Sequence, residues 1–458
     1  MNKLKLLWSK LRSSLWFLPS LIVSGSVLLA IVLIEADSTG SDRWLARWPR
    51  LFGAGAAGAR GMLSTIAGSM MSVVGVTFSM TLVALAMASS QYTSRILRNF
   101  MRSRATQAAL GIFAGIYTYC LIVLRTIRGG DEGAFVPSLA VFFGFFLAVG
   151  GVGVLIFFIH HVASSIQASS IIASVAEETI QAIDRLFPKR LGHSLAEAQE
   201  GQSPPPLPDQ KWHLVPADES GYIQGVDNAA LLRLARERKT VVRMERGVGE
   251  FVVENTPLAS LTLEAPLDSE TKVELQAAFS LSRHRTVEQD AGFGIRQIVD
   301  IALKALSPGI NDTTTGIMCV DYLTVILSRL AVCTIPSSRR YEEGQLRVIT
   351  IGPTFEGLMA EAFDQIRVSA AGNLAIMLRI LSGIETIAGL TTRANHSQIL
   401  LEQTQGIAEL AKRTIQSTHD RERFQRRLER AYKILETKRL LNNTVDSATY
   451  GQLKKVSR

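Results

Sequence analysis

Cysteine is scarce in this chain. Cys120, Cys319 and Cys333 are the three thiols in 458 residues, and they form neither a C-x-x-C pair nor a metal-ligand spacing. That excludes a disulfide scaffold and a zinc module, and suits a reduced compartment with thiols used as packing. Catalytic signatures are missing too: there is no H-E-x-x-H, no G-x-S-x-G and no P-loop. The expectation is therefore a protein that is not an enzyme and carries no cofactor. A net charge of +9 comes with no nucleic-acid-binding motif, so anionic lipid headgroups are the expected partner and nucleic acid is not. One absence organises the rest. From Leu63 to Ser90 there is no charged residue.

That stretch is long enough to cross a bilayer as one helix, but it is rich in small and hydroxylated residues. Thr65, Ser69, Ser72, Val76, Ser79, Val83, Ala86 and Ser90 follow at alternating steps of four and three. The spacing sets them in one stripe along a helix face, roughly 38 Å long at 1.5 Å per residue. Two readings stay open. Small residues let membrane helices pack closely and hydrogen-bond across the contact. Alternatively, the stripe walls a hydrated path around an oligomer axis, with Val76 and Val83 as apolar constrictions. Ser64, Thr77, Thr81 and Ser89 lie off it.

Four spans are expected, at residues 15–34, 63–90, 105–124 and 135–159. Lys3, Lys5, Lys10 and Arg12 precede the first, with Trp8 and Trp16 as interfacial anchors. Gly111-x-x-x-Gly115 in the third span and Gly144, Ala148 and Gly151 in the fourth suit tight helix contacts. Arg95, Arg98, Arg102 and Arg104 make the loop between spans two and three cytoplasmic, which puts both termini inside. Arg43, Arg47 and Arg50 alternate with Trp44, Trp48 and Leu51 as an interfacial helix would. The Gly53-x-Gly55-x-x-Gly58 run fits a dinucleotide fingerprint, but a membrane helix follows it and no strand precedes it.

Residues 1–161 thus form a transmembrane domain, and a helical extension follows over residues 162–190. His160 and His161 at its start read as interfacial residues, since neighbours on a helix point about 100° apart. A proline-rich linker is expected at residues 191–217, a small β-rich module at 218–264 and a helical cytosolic domain at 265–458. The fold class is mainly α: four transmembrane helices plus a cytosolic α+β part. Within the module, Asp227 caps a short helix, and the run from Arg246 to Leu258 resembles the hairpin of biotinyl/lipoyl-type barrel-sandwich domains. Gly249 and Glu250 hold its turn, and Asn255 takes a position of positive φ. No lysine occupies a following hairpin tip, so the module is structural.

Beyond it, a helix starts at Asp268 or Ser269 and ends near Arg283. Thr286 to Gln289 has the form of a capping box for the next, which Ser307-Pro308-Gly309 stops. Asp312 caps another helix. Thr354 caps a long helical stretch, with breaks expected near Gly372 and Gly383. Val368–Leu390 is apolar enough for a fifth span, but Arg379 and Glu385 make it a buried bundle helix. Phe424, Leu428, Ala431 and Leu435 give the last helix an apolar face.

Asp290, Arg296, Asp300, Asn311 and Asp312 are the candidate polar cluster of the soluble part. They read as caps, an i,i+4 pair and a helix junction, or as an anion or carboxylate site at a helix N-terminus.

Four runs together, WFLPS from Trp16, SSQY from Ser89, RILRNFM from Arg95 and DAGFGIR…ALSPGIND from Asp290 to Asp312, resemble a bacterial family of predicted inner-membrane proteins catalogued as a domain of unknown function. The resemblance implies four spans and a large cytosolic part, and no activity. From the residues, the expected function is a homo-oligomeric inner-membrane channel or transport protein for an ion or small solute, with a cytosolic regulatory domain. A membrane-anchored sensor or scaffold is the alternative.

Overall fold

The structure is a computed structural model that describes residues 16–38, 55–91, 104–129, 135–187, 211–263, 266–391 and 393–456. The chain divides into two compact units, Met1–Ile171 and Ile172–Arg458. The arginine loop around Arg95–Arg102, the alternating run Arg43–Leu51 and the prolines of the linker lie outside the described residues, as does Gly53.

The first unit is built from α1 (Phe17–Ser38), α2 (Ala56–Gln91), α3 (Arg104–Thr126) and α4 (Ser138–Ser165). All four are long and apolar enough to cross a membrane. A fifth helix meets the same measure, Thr313–Val332, and not the Val368–Leu390 stretch that the sequence singles out. The glycines expected to allow close packing do so. A Cβ at Gly111 would meet Pro19 Cα at 2.9 Å, and one at Gly115 would meet Ser26 Oγ at 2.5 Å. Contact therefore advances in the same direction along both chains, so α1 and α3 run parallel. A Cβ at Gly144 and Gly151 would likewise meet Leu63 and Met70 in turn, so α2 and α4 run parallel. The unit is an up-down-up-down bundle around Phe113, Ile116, Tyr119, Leu63 and Phe158.

One end of this bundle carries charges fitted to helix termini. Asp37, at the end of α1, accepts from the amides of Leu139 (3.1 Å) and Ala140 (3.1 Å) at the start of α4. Arg60, early in α2, donates to the Ile127 carbonyl just past α3 at 2.7 Å. An anion thus sits at a helix N-terminus and a cation at a C-terminus, as the macrodipole favours.

After α5 (Ala168–Leu186), whose first turn falls before the boundary at Ile171, come β1 (Trp212–Pro216), β2 (Gly221–Val226), α6 (Asn228–Glu237), β3 (Val242–Met244), β4 (Phe251–Val252) and β5 (Pro257–Thr262) in the second unit. Then come α7 (Ser269–Ala277), β6 (Phe279–Ser282), α8 (Ala291–Ala305), α9 (Thr313–Val332), β7 (Arg339–Glu342) and β8 (Gln345–Ile349). Four helices close it: α10 (Phe355–Ser369), α11 (Leu374–Leu390), α12 (Ala394–Thr414) and α13 (Thr418–Val456).

Several boundaries move. The linker range at 191–217 includes strand β1, where Val215 enters the core. The helix from Ser269 ends at Ala277, because β6 then pairs with β2. The Thr286 capping box opens no helix; Asp290 caps α8 instead, accepting from Phe293 N–H at 3.0 Å. Gly383 breaks nothing, since α11 runs through it and only Gly372, at φ 76°, marks a break. Asn255 does take positive φ (63°) and Leu258 is fully buried. However, β4 and β5 on either side of that turn belong to different sheets, so the run is no simple hairpin.

The five-stranded sheet has the order β1-β5-β3-β8-β7, and the three-stranded one β4-β2-β6. Parallel pairing of β3 with β8 ties the module to residues a hundred positions on. No local reading of hydrophobic alternation sees that tie. Asp227 and Thr354 cap α6 and α10 as expected. Phe424, Leu428, Ala431 and Leu435 are all buried.

Candidate functional site

On α2 the sequence stripe has a clear location. Thr65, Ser69, Ser72, Val76, Ser79, Val83 and Ala86 are all exposed, while Leu63, Ala67, Met70, Thr77 and Ala84 on the far side are buried. At 3.6 residues per turn these two sets lie on roughly opposite faces. Ser90's side chain lies outside the described residues. The exposed surface is itself divided. Met71, Phe78 and Leu82 form a bulky apolar flank, and beside the stripe Gly61, Gly68 and Gly75 leave open space where a Cβ would stand. Thr65 and Ser72 donate back to the carbonyls of Gly61 (2.8 Å) and Gly68 (3.2 Å). Ser69 and Ser79 have no partner among the described residues.

The polar cluster does not assemble as one site. Asp290 caps α8 and pairs with Arg285 at 2.7 Å, whose guanidinium lies over the Phe293 ring. Burial pushes the Asp290 carboxyl up, against the pull of Arg285. Arg296 meets Asp300 at 2.8 Å and Glu361 at 3.5 Å. Asn311 takes φ 50°, closing the turn that lets the Asp312 amide reach Ala305 O at 2.7 Å. Asp312 caps α9, accepting from the Thr315 amide at 3.0 Å and its hydroxyl at 2.6 Å. Asp290 and Asp312 thus bracket α8, about 22 Å apart at its helical rise.

The Thr315 hydroxyl and amide hold the Asp312 carboxyl below its ordinary value of 3.8. Its stabilisation is therefore present above that value and lost as pH falls through the lower folded one. Asp312→Ala should destabilise the full-length protein by about 0.5–2 kcal/mol, whereas Asp312→Asn, which caps nearly as well, should cost little. Denaturant titration of both variants at neutral pH checks this; equal losses would mean that the charge, not the cap, matters.

A cavity of about 670 Å³ opens where α6, α8, α10 and α12 begin. Asp290 lines it; Arg296, Asp300, Asn311 and Asp312 do not. Phe355 stacks on His396 with ring centroids 3.9 Å apart, and Arg340 and Arg393 complete its cationic lining. Burial, with Arg393 nearby, pushes His396 down to about 4, so the ring is neutral. The sequence gives no sign of this grouping, because Arg340 comes from a strand, Phe355 from the start of α10, and Arg393 with His396 from the start of α12. Among the described residues, no three His, Cys, Asp or Glu side chains gather as a metal site requires.

A family model described as a predicted membrane protein, DUF2254, matches residues 12–386. Uncharacterised proteins of Mycobacterium tuberculosis (strain H37Rv) and Mycobacterium bovis are each 31% identical over 399 residues. Each match covers 85% of this chain and 74% of the relative. No solved structure matches the chain.

Proposed function

Because this chain belongs to the DUF2254 family of predicted membrane proteins, we propose that it is a multi-pass inner-membrane transport protein rather than an enzyme. In this reading α1–α4 span the bilayer, both termini are cytoplasmic and the second unit is the cytosolic regulatory part. Copies assemble about an axis, with α2 lining a path for an ion or small solute. Thr313–Val332 stays in the cytosolic unit, where Asp312 caps it, Arg329 pairs with Asp184 and Asp321 with Arg379.

One observation carries the proposal: the stripe points away from its own bundle. A seam within the protomer would bury it, and here Leu63, Ala67 and Met70 make that contact instead. Its occupant must come from outside, and the exposed hydroxyls of Ser69 and Ser79 are poorly suited to lipid. Water in a pore, or a second copy, satisfies them. A sensor or scaffold would use the same face as a dry seam between copies.

Ion leak from liposomes separates the two. Val83→Ser should wet an apolar constriction and raise the leak, while Met71→Ser, on the bulky flank, should not. Background leak from Val83→Ser in correctly assembled protein would leave the dry seam.

A further inference from the structure

We propose that the cavity between the starts of α6, α8, α10 and α12 binds a small organic anion, a phosphate or carboxylate carrying an apolar or aromatic body. The proposal does not rest on transport by α2.

Size is the first argument. About 670 Å³ lies inside the usual range for small-molecule sites of roughly 300–1,000 Å³. The second is a set of donors without acceptors. Arg340 and Arg393 both line the cavity, and neither has an ion pair among the described residues. Arg393 donates one N–H to Thr334 Oγ1, at 3.3 Å, and the rest of its fork has no partner among the described residues. Arg340 stands exposed on β7, with no carboxylate paired to it among the described residues.

His396 supplies an independent observation. Its side chain belongs to a residue only 5% exposed. Nδ1 meets Thr391 Oγ1 at 3.1 Å, and Phe355 covers the ring face. Nε2 has no protein partner among the described residues, although His396 lines the cavity. Thr391 Oγ1 also accepts from the Arg393 amide at 3.5 Å. If its proton goes to Nδ1, Nε2–H is a donor facing the cavity; that tautomer is assigned from the network.

The N-termini add to this. Asp227, Asp290 and Thr354 cap α6, α8 and α10, but α12 receives no side-chain cap hydrogen bond from its N-cap residue, Arg393, among the described residues. Its first amides and partial positive charge therefore stand beside Arg393 and His396, as an anion requires.

Carboxylates in the lining are accounted for in two of three cases. Glu250 accepts from Gly247 N–H at 3.1 Å, and Asp290 is matched by Arg285. Glu356 remains, and it favours a ligand with a donor as well as an anionic head. Met244, Ile335, Ile351 and Phe355 provide the apolar wall for the ligand's body.

Calorimetric titration of the full-length protein in nanodiscs tests this with three probes: AMP, phenylpyruvate and inorganic phosphate. AMP or phenylpyruvate should saturate with Kd below about 1 mM, and inorganic phosphate, which lacks the body, should bind at least tenfold more weakly. The preferred organic probe identifies the head as phosphate or carboxylate. Arg340→Gln, at an exposed strand position where folding is not at risk, should raise Kd at least fivefold. Arg340→Gln with Arg393→Gln should abolish saturation, while Lys412→Gln on the far part of α12 should change nothing. Saturation by neither organic probe, or saturation that survives the double variant, overturns the proposal.

Discussion

Gly111→Leu should prevent the four-helix unit from closing. A Cβ at that position would come within 2.9 Å of Pro19 Cα, which is backbone, and 2.8 Å of Ile22 Cδ1. A flexible side chain can swing aside, but a proline backbone inside a helix cannot. Even alanine should cost about 1–3 kcal/mol, the usual range for overpacking, and leucine adds three more carbons to the same collision. Gly115 is the informative contrast. Its Cβ would meet Ser26 Oγ at 2.5 Å, and the next neighbours stand 3.5 Å or more away. Gly115→Ala should therefore be rescued by Ser26→Gly, whereas no side-chain truncation on α1 should fully rescue Gly111→Ala. Melting temperature and elution profile in detergent read both. A Gly111→Leu protein that elutes and melts like the parent would show that α1 and α3 are not in this register.

Arg427→Ala should loosen α13 from the bundle. Glu385, on α11, keeps only 8% of its side chain exposed and meets Arg427 at 2.8 Å; Arg430 stands farther, at 3.8 Å. One carboxylate oxygen, Oε1, has no hydrogen-bond partner among the described residues. Removing Arg427 leaves a buried charge nearly alone, which costs about 3 kcal/mol, the low end for such orphaning because Arg430 remains. Arg413→Ala, whose partner Glu409 is 71% exposed, should cost less than about 0.5 kcal/mol.

The pH dependence has a definite sign. Burial raises the Glu385 pKa above its ordinary 4.5, and Arg427 and Arg430 oppose the rise. A raised acid is easiest to bury protonated, so its contribution to stability falls as pH climbs through the folded value. Without Arg427 that value climbs further. The deficit should thus be greatest at neutral pH, shrink on acidification, and be largely recovered by Glu385→Gln. Hydrogen exchange across α13 at two pH values checks this; a deficit independent of pH would place the loss in packing rather than charge.

What could be read from the sequence follows how far apart the interacting residues are. The small-residue stripe, the glycine spacings of α3 and α4, and the caps at Asp227, Asp312 and Thr354 are patterns within a few residues, and periodicity or chemistry reveals them. The Arg296–Asp300 pair is legible for the same reason. Pairing of β3 with β8, the strand at Phe279–Ser282 and the displaced start of α8 depend on distant partners. At Thr286–Gln289 a good local signal lost because Gln289 Oε1 accepts from Val226 N–H at 3.1 Å and Asp290 takes the cap. The candidate cavity is the extreme case: Arg393 and His396 are neighbours at the start of α12, but nothing local links them to Arg340. Conversely, the proposed cluster from Asp290 to Asp312 was close in sequence and was drawn apart by the length of α8.

The carboxylate at the end of α1 has a history as well as a position. Its amide partner Leu139 lies 102 residues further along the chain. At roughly 5–20 residues per second of synthesis, Asp37 emerges about 5–20 s before the amides that will hold it. During that interval these two hydrogen bonds to its carboxylate are not yet made. The two α4 amides reach it once the fourth helix has been made. The contact that joins the end of α1 to the start of α4 is thus among the last this unit can form as it is synthesised.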